Sequence, residues 1–285
     1  MSQTTPGNLG QGLVRENWGD LYIKPMYEPA RVLPFASNLS KDCKKGDLIN
    51  VPVRSTALTV GTVNATTGAL NIQQVTASNV QVLIDRQKDC TVDLLDITRE
   101  QAEAKFENEW PSESGEAVAE EMEAAFLALQ SDVTASVGAD ANDMGEDELL
   151  AAIQALKSAK LPIDTKPNEF CFALDDKSWL PLRKLKIFDY QVTGVSGESA
   201  AKTLSLPSYG GIPVRFSTQV ATSGTGRRSM LFHKTAFAWA AQKNPEVAMT
   251  SRLAAGQASY LMTNIALYGV KTVREGFARV IKSKA

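Results

Sequence analysis

The chain has 285 residues, 44% hydrophobic and 22% charged, with a formal net charge of −2. That composition is globular rather than disordered, and the near-neutral balance gives no support to sequence-specific nucleic-acid binding. No apolar run approaches the ~20 residues needed to span a bilayer, so no membrane contact is expected, and the opening MSQTTPGNLGQGL lacks the basic and apolar regions of a signal peptide.

The length fits about two domains. Cys43, Cys90 and Cys171 are odd in number and far apart, which suits neither a disulfide framework nor a zinc site. They read as idle thiols of a reducing cytoplasm. Residues 1–20 are polar and aperiodic, an extended arm. Residues 22–39 carry Tyr22, Ile23, Met26, Tyr27, Val32, Leu33 and Phe35 between Pro25, Pro29 and Pro34. The prolines argue against a long helix, and the apolar groups argue against a free linker, so this arm needs another surface to bury it.

Gly46-Asp47 marks a turn, and Leu48, Ile49, Val51 and Val53 a strand in which Pro52 suggests an edge. From Arg54 to Asn79 the chain is rich in Thr, Val, Ala, Asn and Gln. Asn64 to Gly68 reads as a hairpin tip between strands Leu58–Val63 and Leu70–Val75. Those strands hold too little apolar surface to fold alone; the hairpin is expected to project and to pack elsewhere. Val80, Val82 and Ile84, then Cys90, Val92, Leu94 and Leu95, predict two strands of a sheet against a long helix. Thr98 to Gln101 is a capping-box pattern opening a short helix that Pro111 ends.

Residues 112–137 read as that long helix. Val118, Met122, Phe126, Leu129 and Val133 recur at three- and four-residue steps on one face. Glu113, Glu116, Glu120, Glu121 and Glu123 sit where negative charge suits the helix dipole. At 1.5 Å per residue it would be about 39 Å long, a rigid spine with sheets attached.

Beyond Gly138, a polar loop leads to an amphipathic helix carrying Leu149, Leu150, Ile153 and Leu156 and ended by Pro162. Glu169–Leu174 predicts a buried strand, Ser178–Lys186 a short helix, Thr193–Ala201 a Gly/Ser-rich excursion, and YGGIPVRFS a turn and strand. Residues 222–228 form a polar loop, Ser229–Phe232 a strand, and Thr235–Ala241 a compact apolar helix. Glu246–Arg252 and Ser259–Leu267 read as paired strands, and the tail as a further strand, all returning to the sheet beside the spine. The result is an α+β chain of two domains interleaved in sequence.

No catalytic constellation is found. His233 is the single histidine, placed between a predicted strand and helix, where it suits capping or packing better than a nucleophile-base pair. The acidic residues Asp140, Asp143, Glu146, Asp147 and Glu148 lack calcium-loop spacing, and GVSGES and SGTGRR do not match a phosphate-binding loop. Neither a metal nor a cofactor is expected.

In this order the elements resemble the major capsid protein of tailed bacteriophages, the Hong-Kong-97-type fold. The segments that carry the resemblance are GDLINVPV, VQVLIDRQKDCTVDLLDIT and LYGVKTVREGFARVI. The resemblance implies an N-terminal arm (1–43) and a projecting E-loop (54–79). It further implies a peripheral domain on the spine helix (44–139 and 246–285) and a central axial domain (140–245). It implies a structural, non-enzymatic subunit that assembles into hexamers and pentamers of an icosahedral virion head around double-stranded DNA, contacted non-specifically, after assembly in the host cytoplasm. Arg54, Val60, Val63, Leu70 and Ile72 would then be intersubunit contacts.

Some members of that family cross-link through a lysine on the projecting loop, and residues 54–79 contain none. Others carry a long scaffolding segment, for which the ~40 residues before the first strand are too few. The implied partners are therefore a portal, a separate scaffolding protein and a cement protein. Within the same fold the alternative is an encapsulin-type cargo shell; from another class, the α/β character of residues 146–245 permits a small-molecule enzyme.

Overall fold

The computed structural model describes residues 26–54, 58–63, 70, 72–95, 105–184, 208–224, 226–254 and 257–284. Two larger sheets and one strand pair surround a long helix. The four-stranded sheet runs β1 (Ser37–Asn38), β11 (Phe237–Ala254), β12 (Gln257–Thr272), β4 (Arg86–Leu95). The seven-stranded sheet runs β5 (Ser136–Gly138), β13 (Ala278–Lys284), β10 (Gly226–His233), β6 (Phe170–Asp175), β8 (Ile212–Ser217), β7 (Ser208–Tyr209), with β9 (Thr222–Ser223) paired to β10. β2 (Leu48–Arg54) and β3 (Ala77–Leu83) pair only with each other, antiparallel, from Leu48 opposite Leu83 to Arg54 opposite Ala77.

The spine helix α1 spans Lys105–Leu127, about 35 Å at 1.5 Å per residue. It starts earlier than the sequence suggested and runs through Pro111, which was expected to end a separate helix. An interior proline costs about 3 kcal/mol. The compensation is burial: Trp110, Ser114, Val118 and Met122, at every fourth position, are all buried. The helix also ends sooner. A 3-10 turn at Ala128–Asp132 follows, and Ser136–Gly138 becomes strand β5, parallel to β13. The capping-box residues 98–101 lie outside the described residues.

Strand alternation divides the seven-stranded sheet between two cores. Cys171, Ala173, Met230, Phe232, Ala278 and Val280 face the spine, together with Val118, Met122, Phe126, Leu129 and Val133. Phe170, Phe172, Leu174, Leu231 and Ile281 face the other way, onto helix α2 (Glu146–Ser158), which presents Leu149, Ala152 and Leu156. Glu148 accepts from the Gly145 N–H at 3.1 Å and opens α2. The third helix, α3, spans Trp179–Lys184 after a 3-10 turn at Asp176–Ser178. Phe126 meets Phe232 of one sheet and Phe237 of the other edge-on, with ring centroids 5.7 and 5.4 Å apart. A single ring of the spine thus joins both sheets.

Three strand assignments differ from expectation. Residues 237–241 are not helical but open the long strand β11. Their alanines carry helix propensity, yet Ala240 is buried in the small core with Cys43 and Ile84, where the β2–β3 pair approaches, and Ala238 lies on the same face of the strand. Second, β3 and β4 do not share a sheet; β4 pairs with β12 and β3 with β2. Third, the tail strand β13 joins β10 and β5 in the seven-stranded sheet rather than β11, β12 and β4, and its two faces serve the two cores. The pairing of residues 246–252 with 259–265 follows the expected hairpin, within longer strands.

The β2–β3 pair is seated by contact of backbones. A Cβ at Gly269 of β12 would stand 1.9 Å from the Leu83 carbonyl oxygen. Around it Cys43, Ile84 and Ala240 form a small core with Leu39, Ile49 and Leu267.

Candidate functional site

Beyond the β2–β3 pair the chain projects. Among the described residues of 55–76 there is no strand, so the described parts of the two arms read as strands from the sequence are unladdered. Gln73 nonetheless bridges them: its Oε1 accepts from the Thr59 N–H at 3.0 Å, and its Nε2 donates to the Thr59 carbonyl. The expected tip, residues 64–69, lies outside the described residues. Val60 and Ile72 are exposed to 102% and 89%, and Leu58, Val63, Leu70 and Val75 are each at least half exposed. An arm of that composition is a larger unpartnered apolar patch than isolated surface residues make. Arg54, also exposed, closes its base: the Arg274 Nη2 donates to the Arg54 carbonyl at 3.0 Å.

Residues 26–43 are equally irregular but are held down. Val32, Leu33 and Ala36 are buried in the spine core. Glu123 of α1, 1% exposed, accepts from the Val32 N–H at 3.0 Å, and burial raises its carboxyl above the usual range while the strap's amides pull it back. Glu28 accepts from the Thr218 N–H at 2.8 Å and from the Thr218 and Ser217 hydroxyls. Its own N–H donates to Glu120 at 3.2 Å. Phe35 lies under the Arg215 guanidinium, 5.4 Å from the ring centroid. This strap therefore ties the spine to the end of β8. Sequence reading placed Glu120 and Glu123 as dipole charges; the available signal was their position beside the apolar stripe, opposite a proline-rich segment that cannot pair its own amides.

The polar clusters are structural. Thr235 donates its backbone N–H to the His233 Nδ1 at 3.3 Å, so Nε2 carries the proton and donates to Glu169 at 3.1 Å. The Lys234 ammonium, 2.8 Å away, and His233 hold the Glu169 carboxyl down to about 2. Phe170 packs on the imidazole at 4.8 Å. Asp175 is buried beside Arg227 at 3.2 Å; burial raises it to about 6 against the pull of the guanidinium. Arg228 pairs with Asp140 and keeps it ionised. The glycine-rich 222–228 stretch, expected as a loop, thus holds β9 and the start of β10, anchored by two arginines. The thiols of Cys43, Cys90 and Cys171 are free, and burial pushes Cys171 up to about 12. Among the described residues no group of three His, Cys, Asp or Glu could hold a metal, and no helix is long and apolar enough to cross a membrane.

The sequence-chosen spine residues Val118, Met122, Phe126, Leu129 and Val133 are together in one core. Val60, Val63, Leu70 and Ile72 lie along the arm, each more than half exposed, and Arg54 stands at its base, opposite Ala77 and held by Arg274.

No protein-family model matches the chain, and no curated protein matches it. Solved structures do. A chain of Mycobacterium phage Che8 is 17% identical with a TM-score of 0.74, over 95% of this chain and 97% of that one. A chain from the capsid of cyanophage P-SCSP1u is 13% identical with a TM-score of 0.71, over 99% of both. A chain from the capsid of a native GTA particle is 12% identical with a TM-score of 0.73, again over 99% of both. At these identities the likeness is one of fold. The chain has the α+β fold of phage capsid proteins, end to end.

Proposed function

We propose that this protein is the structural coat subunit of a phage head, assembling with copies of itself into hexamers and pentamers around double-stranded DNA. The observation that carries this reading is the end-to-end fold likeness to chains taken from phage and GTA particles, with almost nothing left over on either side. The exposed arm adds to it, since six large apolar side chains each at least half exposed suit a subunit whose partners are its neighbours. The four-stranded sheet and the spine would form the peripheral unit. The seven-stranded sheet would form the axial unit, with β5 and the tail strand β13 added to it and residues 237–245 removed. DNA would be met non-specifically from the inner surface. A portal, a separate scaffolding protein and a cement protein belong to the same reading, as does a non-enzymatic role in the virion after assembly in the host cytoplasm.

Negative-stain microscopy of the purified full chain tests it. Closed isometric particles, or rings that close into them when a scaffolding protein is co-expressed, are the expected result. A monodisperse small oligomer under both conditions would overturn it.

A further inference from the structure

The four-stranded sheet ends on β11, and most of that edge is open. β1 covers it at Ala238 and Trp239. The chain after β1 then meets Ala241, whose N–H donates to the Ser40 hydroxyl, and Gln242, whose amide donates to the Gly46 carbonyl. Past that point no described segment pairs with β11 on its outer side. An open edge is a row of unpaired N–H and C=O groups, which natural sheets guard with lysine, proline and bulges. Between Ala241 and Glu246, β11 carries all three: exposed Lys243, Pro245 and two shifts of register against β12. The guard stops there. Glu246 to Ala254 runs opposite Ile265 to Gln257 with no break and no proline, and Ala248 and Thr250 within it are exposed.

The sequence of this stretch, EVAMTSRLA, is its own complement. Laid antiparallel on a second copy about Met249, it sets position 246 opposite 252 and 252 opposite 246, a glutamate against an arginine at both ends. Val247 then falls opposite Ser251, and Ala248 opposite Thr250. Opposite charges facing across a strand pair favour it, and like charges oppose it. A slip of one residue either way sets both charges against uncharged neighbours. It also turns the second sheet over, which would put the two spine helices on opposite sides of one wall. Only the register about Met249 pairs the charges and keeps both spines on the same side.

We infer that Glu246–Ala254 of β11 pairs antiparallel with the same stretch of a second copy of this chain, about a two-fold axis at Met249, joining two four-stranded sheets into one. The inference rests on the shell reading and gives the subunit a contact apart from its arm. Backbone hydrogen bonds along the open edge supply the attachment, as in other strand additions, and the two charge pairs fix the register. A contact about a single residue is isologous: it joins two copies and is then complete. It cannot build a ring, and so it would tie together chains that belong to different rings.

The test uses the full chain carrying Cys90→Ser, which removes the half-buried native thiol. Met249→Cys is added, particles are assembled, and a mild oxidant is applied before denaturing electrophoresis without reductant. Residues facing each other in an antiparallel pair have Cα atoms about 4.5–5.5 Å apart, within reach of a disulfide. The expected result is dimers and nothing larger, absent from the Cys90→Ser parent. Ala248→Cys in the same background faces position 250, not itself, so it should link poorly alone and well when Thr250→Cys is added. Normal particles without dimers would overturn the pairing while leaving the shell reading in place. A ladder beyond the dimer, or equal linking by Ala248→Cys alone, would overturn it too. Failure of the wild-type protein to form particles would remove the shell reading and this inference with it. A charge exchange guards against misfolding: Glu246→Arg and Arg252→Glu should each lower particle yield about tenfold, and the double variant should regain it. Full yield from either single variant, or a double variant no better than the singles, would overturn the proposal.

Discussion

The strap at residues 28–36 and the arm at residues 58–76 both lack long regular elements, and both carry large apolar side chains. Yet Val32 is fully buried while Val60 is fully exposed. Apolar content does not separate them. The difference lies in what each segment does with its backbone. Buried amides must be paired, and the strap is met by carboxylates: Glu123 takes the Val32 N–H, Glu120 takes that of Glu28, and Glu28 in turn takes that of Thr218. In the arm, the exchange between Thr59 and Gln73 pairs one side of the arm with the other rather than with the body. An irregular segment is internal where the fold supplies acceptors for it. Where it does not, as at Val60 and Ile72, the side chains stand exposed on the single chain.

The comparison breaks most visibly at Glu123. Glu123→Ala would leave the Val32 amide buried without an acceptor, a loss of about 1–3 kcal/mol. The expected outcome is a matching drop in denaturant-unfolding stability, with faster amide exchange across residues 31–36. Glu123→Gln keeps an acceptor and should recover most of it. Unchanged exchange in the alanine variant would show that the strap is held by its side chains alone.

A smaller effect is expected at Glu169, whose partner Lys234 also accepts from Ser37 N–H through its carbonyl at the end of the strap. The folded carboxyl lies near 2, below the ordinary value of 4.5. A depressed acid stabilises the fold above its unfolded pKa and ceases to do so as pH falls through the folded one. Glu169→Gln should therefore unfold more readily than wild type at pH 7, with the gap narrowing from about pH 4.5 and gone near pH 2. A gap independent of pH would mean that shape, not charge, is what Glu169 supplies.

The smallest effect on the fold is expected from the arm itself. Replacing residues 58–75 by a short Gly/Ser linker should leave subunit stability within about 0.5 kcal/mol, as for surface changes that remove no buried contact. The same variant should form no closed particles by negative stain. Normal particles would show the arm to be dispensable and its exposed side chains to be incidental.

Much of this architecture is legible in the residues. The spine's apolar face is written at 118, 122, 126, 129 and 133 because a helix repeats locally, and Phe170–Leu174 is unmistakable because both of its faces are buried. What is not legible depends on partners far away in sequence. Nothing local distinguishes an alanine chosen for helicity from Ala240, which is buried against Cys43 and Ile84 from distant parts of the chain. Nothing in residues 278–284 says whether β10 or β4 lies alongside, because strand pairing is set by the whole chain. Pro111 signals a stop by its own chemistry, and only the burial of Trp110 on the far side of it overrides that signal. In the arm, the β-branched residues that read as strands have no ladder partner in the described chain, so propensity had nothing to act on.

Gly269 has a consequence for geometry on a larger scale. The Leu83 carbonyl occupies the place where its side chain would be, so the pivot from which the hairpin swings is set by two backbones in contact. The paired strands beyond that pivot run for seven residues, about 23 Å. A methyl group inserted at the fulcrum would tilt this lever, and a displacement of one ångström at its short end would grow along its length. In a closed surface the angle between neighbouring plates fixes the radius. In the proposed shell, the missing side chain at position 269 would be a gauge for curvature, set deep in one subunit and read out in the size of the whole.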